Sequence, residues 1–328
     1  MLRSTCRRGR VGRAPSRVLL MGPAFGNSPV EMPCADGVVL RGDFWPAHDS
    51  QSSLTAIINP ATGVLARYYH RYARYLTANG FNVLTYDYRG IGASRPVSLR
   101  GCGYRWSDWG EFDFDAALRW VAAHVVRARI VVIGHSIGGF LPGLAKAAPL
   151  VERMLTIGAQ FAYWPDYALR HRTRLFLKWH VAMPAMTALF GYFPGRRLGW
   201  LEDLPSGVAY EWSFRRSRME FSYPAHQRED ILARFDAFTA PILAVTMHDD
   251  EFATPAALRR GLSYYRAAER RTAICFEQDA LGIGPQGHFG LFHASHRDVF
   301  WKGTVLWLRD GVNPWRDLQT ERHESPCR

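Results

Sequence analysis

From about Ser28 onward, short apolar runs alternate with longer stretches whose apolar residues recur at helical spacing. SPVEMPCADGVVLRGDFWPA predicts two short strands joined by a turn at Asp36-Gly37. LTAIINPA, Leu54 to Ala61, is an apolar run that ends in turn residues. In LARYYHRYARYLTANG, Leu65, Tyr69, Tyr72 and Leu76 fall on one helical face, and Asn79-Gly80 supplies a stop. FNVLTYDYRG reads as a buried strand. WSDWGEFDFDAALRWVAAHV reads as a helix with Phe114, Leu118, Val121 and Val125 on one face. RIVVIG is the next apolar run, and FLPGLAKAAPLV is expected to open a helix. RMLTIGAQ, PILAVTMHDD and TAICFEQD predict three more strands; TPAALRRGLSYYRAA and SHRDVFWKGTVLWLRD predict two more helices.

Strands alternating with helices predict an α/β fold with a mainly parallel sheet. The alternation stops between Phe161 and Pro224. That stretch has no strand pattern and is dense in arginine and aromatic residues. A structureless loop of that length is not expected inside a compact domain, so a helical cap insertion is predicted. The expected organisation is an Arg-rich leader over 1–28, the first part of the core over 29–160, the insertion over 161–224, the second part over 225–312 and a tail over 313–328.

With 328 residues, 48% of them hydrophobic, the chain is long enough for a substantial core. The formal net charge is +12. Outside the N-terminus the arginines are scattered rather than gathered into a stripe, which argues for solvated faces and against nucleic acid. Five cysteines, widely spaced and without a C-x-x-C, argue against a disulfide framework or a zinc site. A reducing, cytoplasmic compartment is the natural expectation. Val181 to Phe193, a long apolar run, contains Pro184 and is too short to span a bilayer. The leader MLRSTCRRGRVGRAPSR lacks the long apolar region of a secretory signal and is expected to be disordered or to reflect a mis-started reading frame.

The chemistry gathers around VVIGHSIGGF, Val131 to Phe140. G-x-S-x-G is a short motif that chance can supply. It gains meaning where a strand runs into a sharp turn and then a helix, and both are predicted here. Such a turn lifts Ser136 off the sheet edge, and Gly134 and Gly138 leave room that a Cβ would fill. A serine hydroxyl needs a base, and the base needs a carboxylate to orient it. In this arrangement the acid and then the histidine follow the serine along the chain. PILAVTM runs into His248-Asp249-Asp250-Glu251, so Asp250 is the preferred acid and Asp249 the alternative. Gly287-His288-Phe289-Gly290, in a loop after the last predicted strand, offers His288.

The segments NPATGV, YDYRGIGASRP, GHSIGG, HDDEFATP and GHFG, in that order, resemble the α/β-hydrolase superfamily. They are most similar to bacterial hydrolases related to serine aminopeptidases and monoacylglycerol lipases. The resemblance runs from about Val30 to Asp310. It implies the α/β-hydrolase fold with Ser136 as nucleophile, His288 as base and then acid, and Asp250 as orienter. It also implies an oxyanion donor at the amide of Ile137 and a second at Ala61 or Thr62. Relatives usually carry a His-Gly pair at that second position, where this chain has Asn59-Pro60-Ala61-Thr62-Gly63. Pro142, early in the expected helix after the serine, is a further departure.

The expected activity is hydrolysis of an ester, thioester or related acyl bond of a small apolar or aromatic substrate, with no cofactor and no metal. An acyltransferase or peptidase with the same triad, and a non-catalytic binding protein, are the competing readings. For a peptidase, Glu202 or Asp203 is the candidate amine anchor. Asp87 and Arg89 are expected to stabilise a loop near the site.

Overall fold

Leu54–Asn59, Asn82–Tyr86 and Ile242–Met247 are buried at every position. Strands with no polar face must lie inside a sheet covered on both sides. The computed structural model describes residues 26–277, 280–282 and 284–324, and it forms that sheet. The strands are β1 (Ser28–Pro33), β2 (Val39–Trp45), β3 (Leu54–Asn59), β4 (Asn82–Tyr86), β5 (Arg129–His135), β6 (Val151–Ile157), β7 (Ile242–Met247), β8 (Arg270–Phe276) and β9 (Gln319–Glu324). They line up as β1-β2-β4-β3-β5-β6-β7-β8-β9. The run from β4 to β8 is parallel. The β1–β2 hairpin at one edge and β9 at the other are antiparallel.

Alternate side chains along each strand enter different cores. Ile57 and Val132 belong to one, with Trp106, Trp109 and Phe140. Ile58, Val131 and Ile133 belong to the other, with Tyr72, Trp301 and Trp307. The period of two along the strand builds both layers at once.

The α-helices are α1 (His70–Ala78), α2 (Trp106–Asp108), α3 (Asp115–His124), α4 (Arg172–Phe176), α5 (Met183–Phe190), α6 (Gly195–Leu198), α7 (Ser206–Ser213), α8 (Arg228–Asp236), α9 (Pro255–Leu262) and α10 (Lys302–Asp310). The predicted helix over 106–124 is present, with a π-helical stretch at Trp109–Phe114 between α2 and α3. Among the described residues, none of these helices is long and apolar enough to cross a membrane. Between β6 and β7 the chain carries α4 to α8 and no strand beyond one isolated bridge, Phe193 to Leu204. α7 meets α2 through stacked indoles, Trp106 on Trp212, with ring centroids 5.4 Å apart.

Two expectations change. Residues 319–324 add strand β9 where a plain tail was expected; QTERHE has no apolar alternation to announce it. No α-helix succeeds the serine turn. The chain instead makes 3-10 turns at Ser136–Gly139, Leu141–Leu144 and Ala148–Leu150. Pro142 and Pro149 cannot donate to a preceding carbonyl, and Gly143 lowers helix propensity further. The leader over 1–28 lies outside the described residues up to position 25.

Asp87 and Arg89 stabilise the chain after β4 in different ways. Asp87 accepts from the amides of Ala66 and Ala93, each at 2.8 Å. Arg89 is 1% exposed and reaches Asp113 at 2.5 Å and Asp36 at 2.5 and 3.1 Å. It ties the β1–β2 turn to the π-helical stretch. Asp113 is fully buried, so removing the guanidinium strands a carboxylate away from water. Arg89→Met is expected to cost about 3–5 kcal/mol in urea unfolding, and a loss below about 1 kcal/mol would contradict this account.

Candidate active site

The order β4-β3-β5 reverses the direction of winding between β3 and β5. In an open parallel sheet, a reversal leaves a crevice outside the carboxyl ends of the two strands. Ala61 and Thr62 follow β3 there, and Ser136 follows β5. Gln160, Asp250 and His288 follow β6, β7 and β8 at the same edge.

Ser136 sits in the left-handed region, with φ at 55°. A non-glycine residue holds that conformation only where its surroundings enforce it. A Cβ on Gly134 would lie 2.3 Å from the Gly139 Cα, and one on Gly138 would lie 2.4 Å from the Asn59 carbonyl oxygen. The predicted steric role of both glycines is therefore met. Asn59 closes the other side, donating to the Gly138 carbonyl at 3.3 Å and accepting from Tyr86 Oη at 2.8 Å.

Asp250 and His288 are joined. His288 Nδ1 lies 2.7 Å from Asp250 Oδ2, and Asp250 Oδ1 accepts from the amides of Phe252 and Ala253, each at 2.8 Å. Burial alone would raise the Asp250 carboxyl. The charge of His288 and these hydrogen bonds outweigh it and hold the group below the usual carboxylate range. An ionised carboxylate only accepts, so the His288 nitrogen that faces it, Nδ1, carries a proton, and in the neutral ring Nε2 presents a lone pair. Asp249, the alternative acid, turns instead to the amide of Gly287 at 2.8 Å and fixes the loop that carries His288.

The amides expected to face an oxyanion separate clearly. Ala61 N–H donates to Tyr69 Oη at 3.0 Å, so the Ala61 alternative is corrected: its amide is occupied. Among the described residues, the amides of Thr62 and Ile137 have no acceptor. Tyr69 in turn lies 2.8 Å from His135 Nδ1, and His135 Nε2 lies 2.8 Å from the carbonyl oxygen of His288. A carbonyl only accepts, so the proton of His135 is on Nε2 and Nδ1 accepts from the Tyr69 hydroxyl. Burial, reinforced by the neighbouring His288, pushes the His135 pKa down to about 3, so the ring is neutral. A single chain of donors thus runs from the loop after β3, through the residue before Ser136, to the loop of His288.

Gln160 was not singled out by sequence reasoning. Its Oε1 accepts from the amide of Ala162, which turns Nε2 toward Ser136 Oγ at 3.3 Å. The hydroxyl oxygen of Ser136 therefore accepts, and its proton is left to be donated. The available signal was position alone: a polar residue just beyond β6 at the carboxyl edge.

Ser136, Ile137, Thr62, Gln160 and His288 open into one cavity of about 140 Å³. No hydrogen bond links Ser136 to His288 among the described residues. The lining also includes Lys178, Trp179, Trp200 and Trp212 from the segment between β6 and β7, together with Trp106 and Phe252. Trp179 stacks on Trp212 at 4.5 Å, extending the Trp106–Trp212 pair into a three-indole column. A wider groove of about 870 Å³ adjoins the cavity and shares Trp200, Leu201 and Phe289 with it.

Residues 57–302 match the family described as alpha/beta hydrolase. Two similar solved structures are an esterase from Pyrococcus furiosus and an alpha/beta hydrolase from Penicillium sp. sh18. The first is 16% identical, covers 93% of this chain and 100% of its own, and has a TM-score of 0.55. The second is 19% identical, covers 86% and 98%, and has a TM-score of 0.58. No curated protein matches the chain by sequence.

Gly158 lies where the two halves of the site meet. Its φ is +58°, and a Cβ there would lie 3.0 Å from Asp250 Oδ2 and 3.1 Å from His288 Nδ1. Gly158→Ala is expected to lose about 1–3 kcal/mol in urea unfolding, from left-handed strain and the crowded carboxylate–imidazole pair. Unchanged stability would contradict this placement.

Proposed function

The chain belongs to the alpha/beta hydrolase family, and from that premise we propose that it is a serine hydrolase cleaving an ester, thioester or related acyl bond. The observation that carries this reading is the 2.7 Å contact of Asp250 with His288, whose ring lines the same cavity as Ser136. Ser136 Oγ attacks the acyl carbon as His288 Nε2 takes its proton. Gln160, donating to Oγ, leaves that proton available, and substrate closes the last hydrogen bond between serine and histidine. The amides of Ile137 and Thr62 hold the tetrahedral oxyanion. The C–O or C–S bond then breaks, and His288 protonates the departing group. Water enters, gives a proton to His288 and attacks the acyl-enzyme; the acid leaves and Ser136 recovers its proton. No cofactor takes part.

The indole column and Phe252 fit a small acyl group with apolar or aromatic character. We read the segment between β6 and β7 as a cap over the site. The peptidase reading finds less support. Asp203 is engaged by Arg95 at 2.9 Å and by the Arg196 amide at 3.1 Å, and Glu202 lines the outer groove rather than the cavity.

Steady-state hydrolysis of a short p-nitrophenyl ester tests the assignment. Ser136→Ala is expected to abolish turnover. Asp250→Asn is expected to lower kcat by about 10⁴-fold, as loss of the orienting carboxylate does in such triads. Asp249→Asn is expected to lose far less. Full activity in Ser136→Ala, or a larger loss in Asp249→Asn than in Asp250→Asn, would overturn the assignment.

A further inference from the structure

Residues 172–190 run as one helical rod, with α4 and α5 joined by the π-helical stretch Leu177–Ala182. Leu175, Trp179, Met183 and Thr187 recur at every fourth position and are buried. Leu177, Val181, Ala185 and Leu189 recur at the same interval, two positions on, and are exposed. Two positions turn a helix by roughly 200°, so the second row lies on the side away from the first. In that outer row Leu177 is 55% exposed, Val181 47% and Leu189 74%. The outward face of a surface helix is ordinarily polar, and a helix that is apolar on both sides calls for a second apolar neighbour. Charge narrows what that neighbour is. Between positions 167 and 201 the chain has six arginine and lysine residues and no aspartate or glutamate. Arg170 is exposed just ahead of the rod. At the other end, the Arg197 guanidinium lies 6.0 Å from the Phe190 ring centroid. Arg100 packs there too: a Cβ on Gly191 would lie 3.1 Å from its Cγ. Glu251 reaches the rod from the turn after β7 and is taken up by Arg174.

We propose that this outer face docks on a bilayer surface rich in anionic lipid. Leu177, Val181 and Leu189 enter the headgroup boundary, and Arg170, Arg197 and Arg100 meet the phosphates at the two ends of the row. The rod lies on the membrane and does not cross it, because its other row stays buried in the protein. Apolar side chains between basic ends suit such a surface, where burial and attraction to anionic headgroups add. A second copy of this chain suits it less. Paired about a two-fold axis, the face would set its arginines against those of its partner, with no acid on the segment to offset them. Arg196, next to Arg197 in the chain, lines the open groove beside the candidate site, so the docked face borders that groove. The inference does not depend on the serine-hydrolase reading.

Cosedimentation of the full chain with lipid vesicles tests the proposal. Vesicles of equal parts phosphatidylcholine and phosphatidylglycerol are expected to carry the protein down. Vesicles of phosphatidylcholine alone should do so at least about tenfold less well, the effect of two or more arginines near an anionic surface. Raised salt should narrow that difference. The triple variant Leu177→Gln, Val181→Gln, Leu189→Gln should lower partitioning by at least about tenfold, as three apolar side chains leave the headgroup boundary. Its melting temperature should stay that of the wild type, since these side chains point away from the core. Arg100→Gln with Arg197→Gln, which leaves the apolar row intact, should reduce the preference for phosphatidylglycerol. Failure of the wild type to bind phosphatidylglycerol vesicles, or undiminished binding by the triple variant, overturns the proposal. So does a wild-type dimer in sedimentation velocity that the triple variant converts to monomer, which would give the face to a second copy. Each of these outcomes leaves the hydrolase reading standing.

Discussion

The site hangs on one backbone constraint: Ser136 is held at positive φ where β5 ends. An L-residue reaches that conformation at a cost, and the fold meets it by bringing three backbones within touching distance. Gly134, Gly138 and Gly139 lack the Cβ atoms that would separate β5, the turn and the loop after β3. Asn59 and Tyr86 lock the approach from the other side. Beyond the turn no long helix forms, because Pro142 and Pro149 break the chain into 3-10 turns. The positive field at the serine therefore comes from individual amides, with Ile137 the nearest in sequence, rather than from a long helix dipole.

Around that constraint, His135 carries more than its place in the motif suggests. Neutral and buried, it accepts from Tyr69 and donates to the backbone of His288. Tyr69 holds the amide of Ala61, so the loop that presents Thr62 and the loop that presents His288 are registered against the same imidazole. Asp249 then fixes the His288 loop from its other end through Gly287. Two adjacent carboxylates thus do different work: one orients a ring, the other positions the backbone beneath it.

The elements whose residues must be buried on both faces were legible in the sequence. LTAIIN, RIVVIG and PILAVTM announced themselves by unbroken apolar runs, and the carboxyl ends of their strands carry Thr62, Ser136 and Asp250. Other features had no local signal. QTERHE becomes β9 by pairing with β8, a tertiary event that its own polarity hides. Gln160 is a polar residue like many others until the Ala162 amide turns its side chain toward Ser136. The choice between Ala61 and Thr62 depended on where Tyr69 points, and the choice between Asp249 and Asp250 on which carboxylate the His288 imidazole meets. The aromatic density of 161–224 was visible, but the column that joins Trp179 and Trp212 to Trp106 crosses a long stretch of chain that spacing cannot bridge.

The proposed nucleophile is Ser136, activated by His288 and Asp250. Its most direct test is covalent. The protein would be treated with an alkyl fluorophosphonate and its mass measured intact, then as peptides. A single adduct is expected on the peptide spanning VVIGHSIGGF, at Ser136. A folded protein that acquires no adduct, or acquires it on another residue, would rule out Ser136 as the nucleophile.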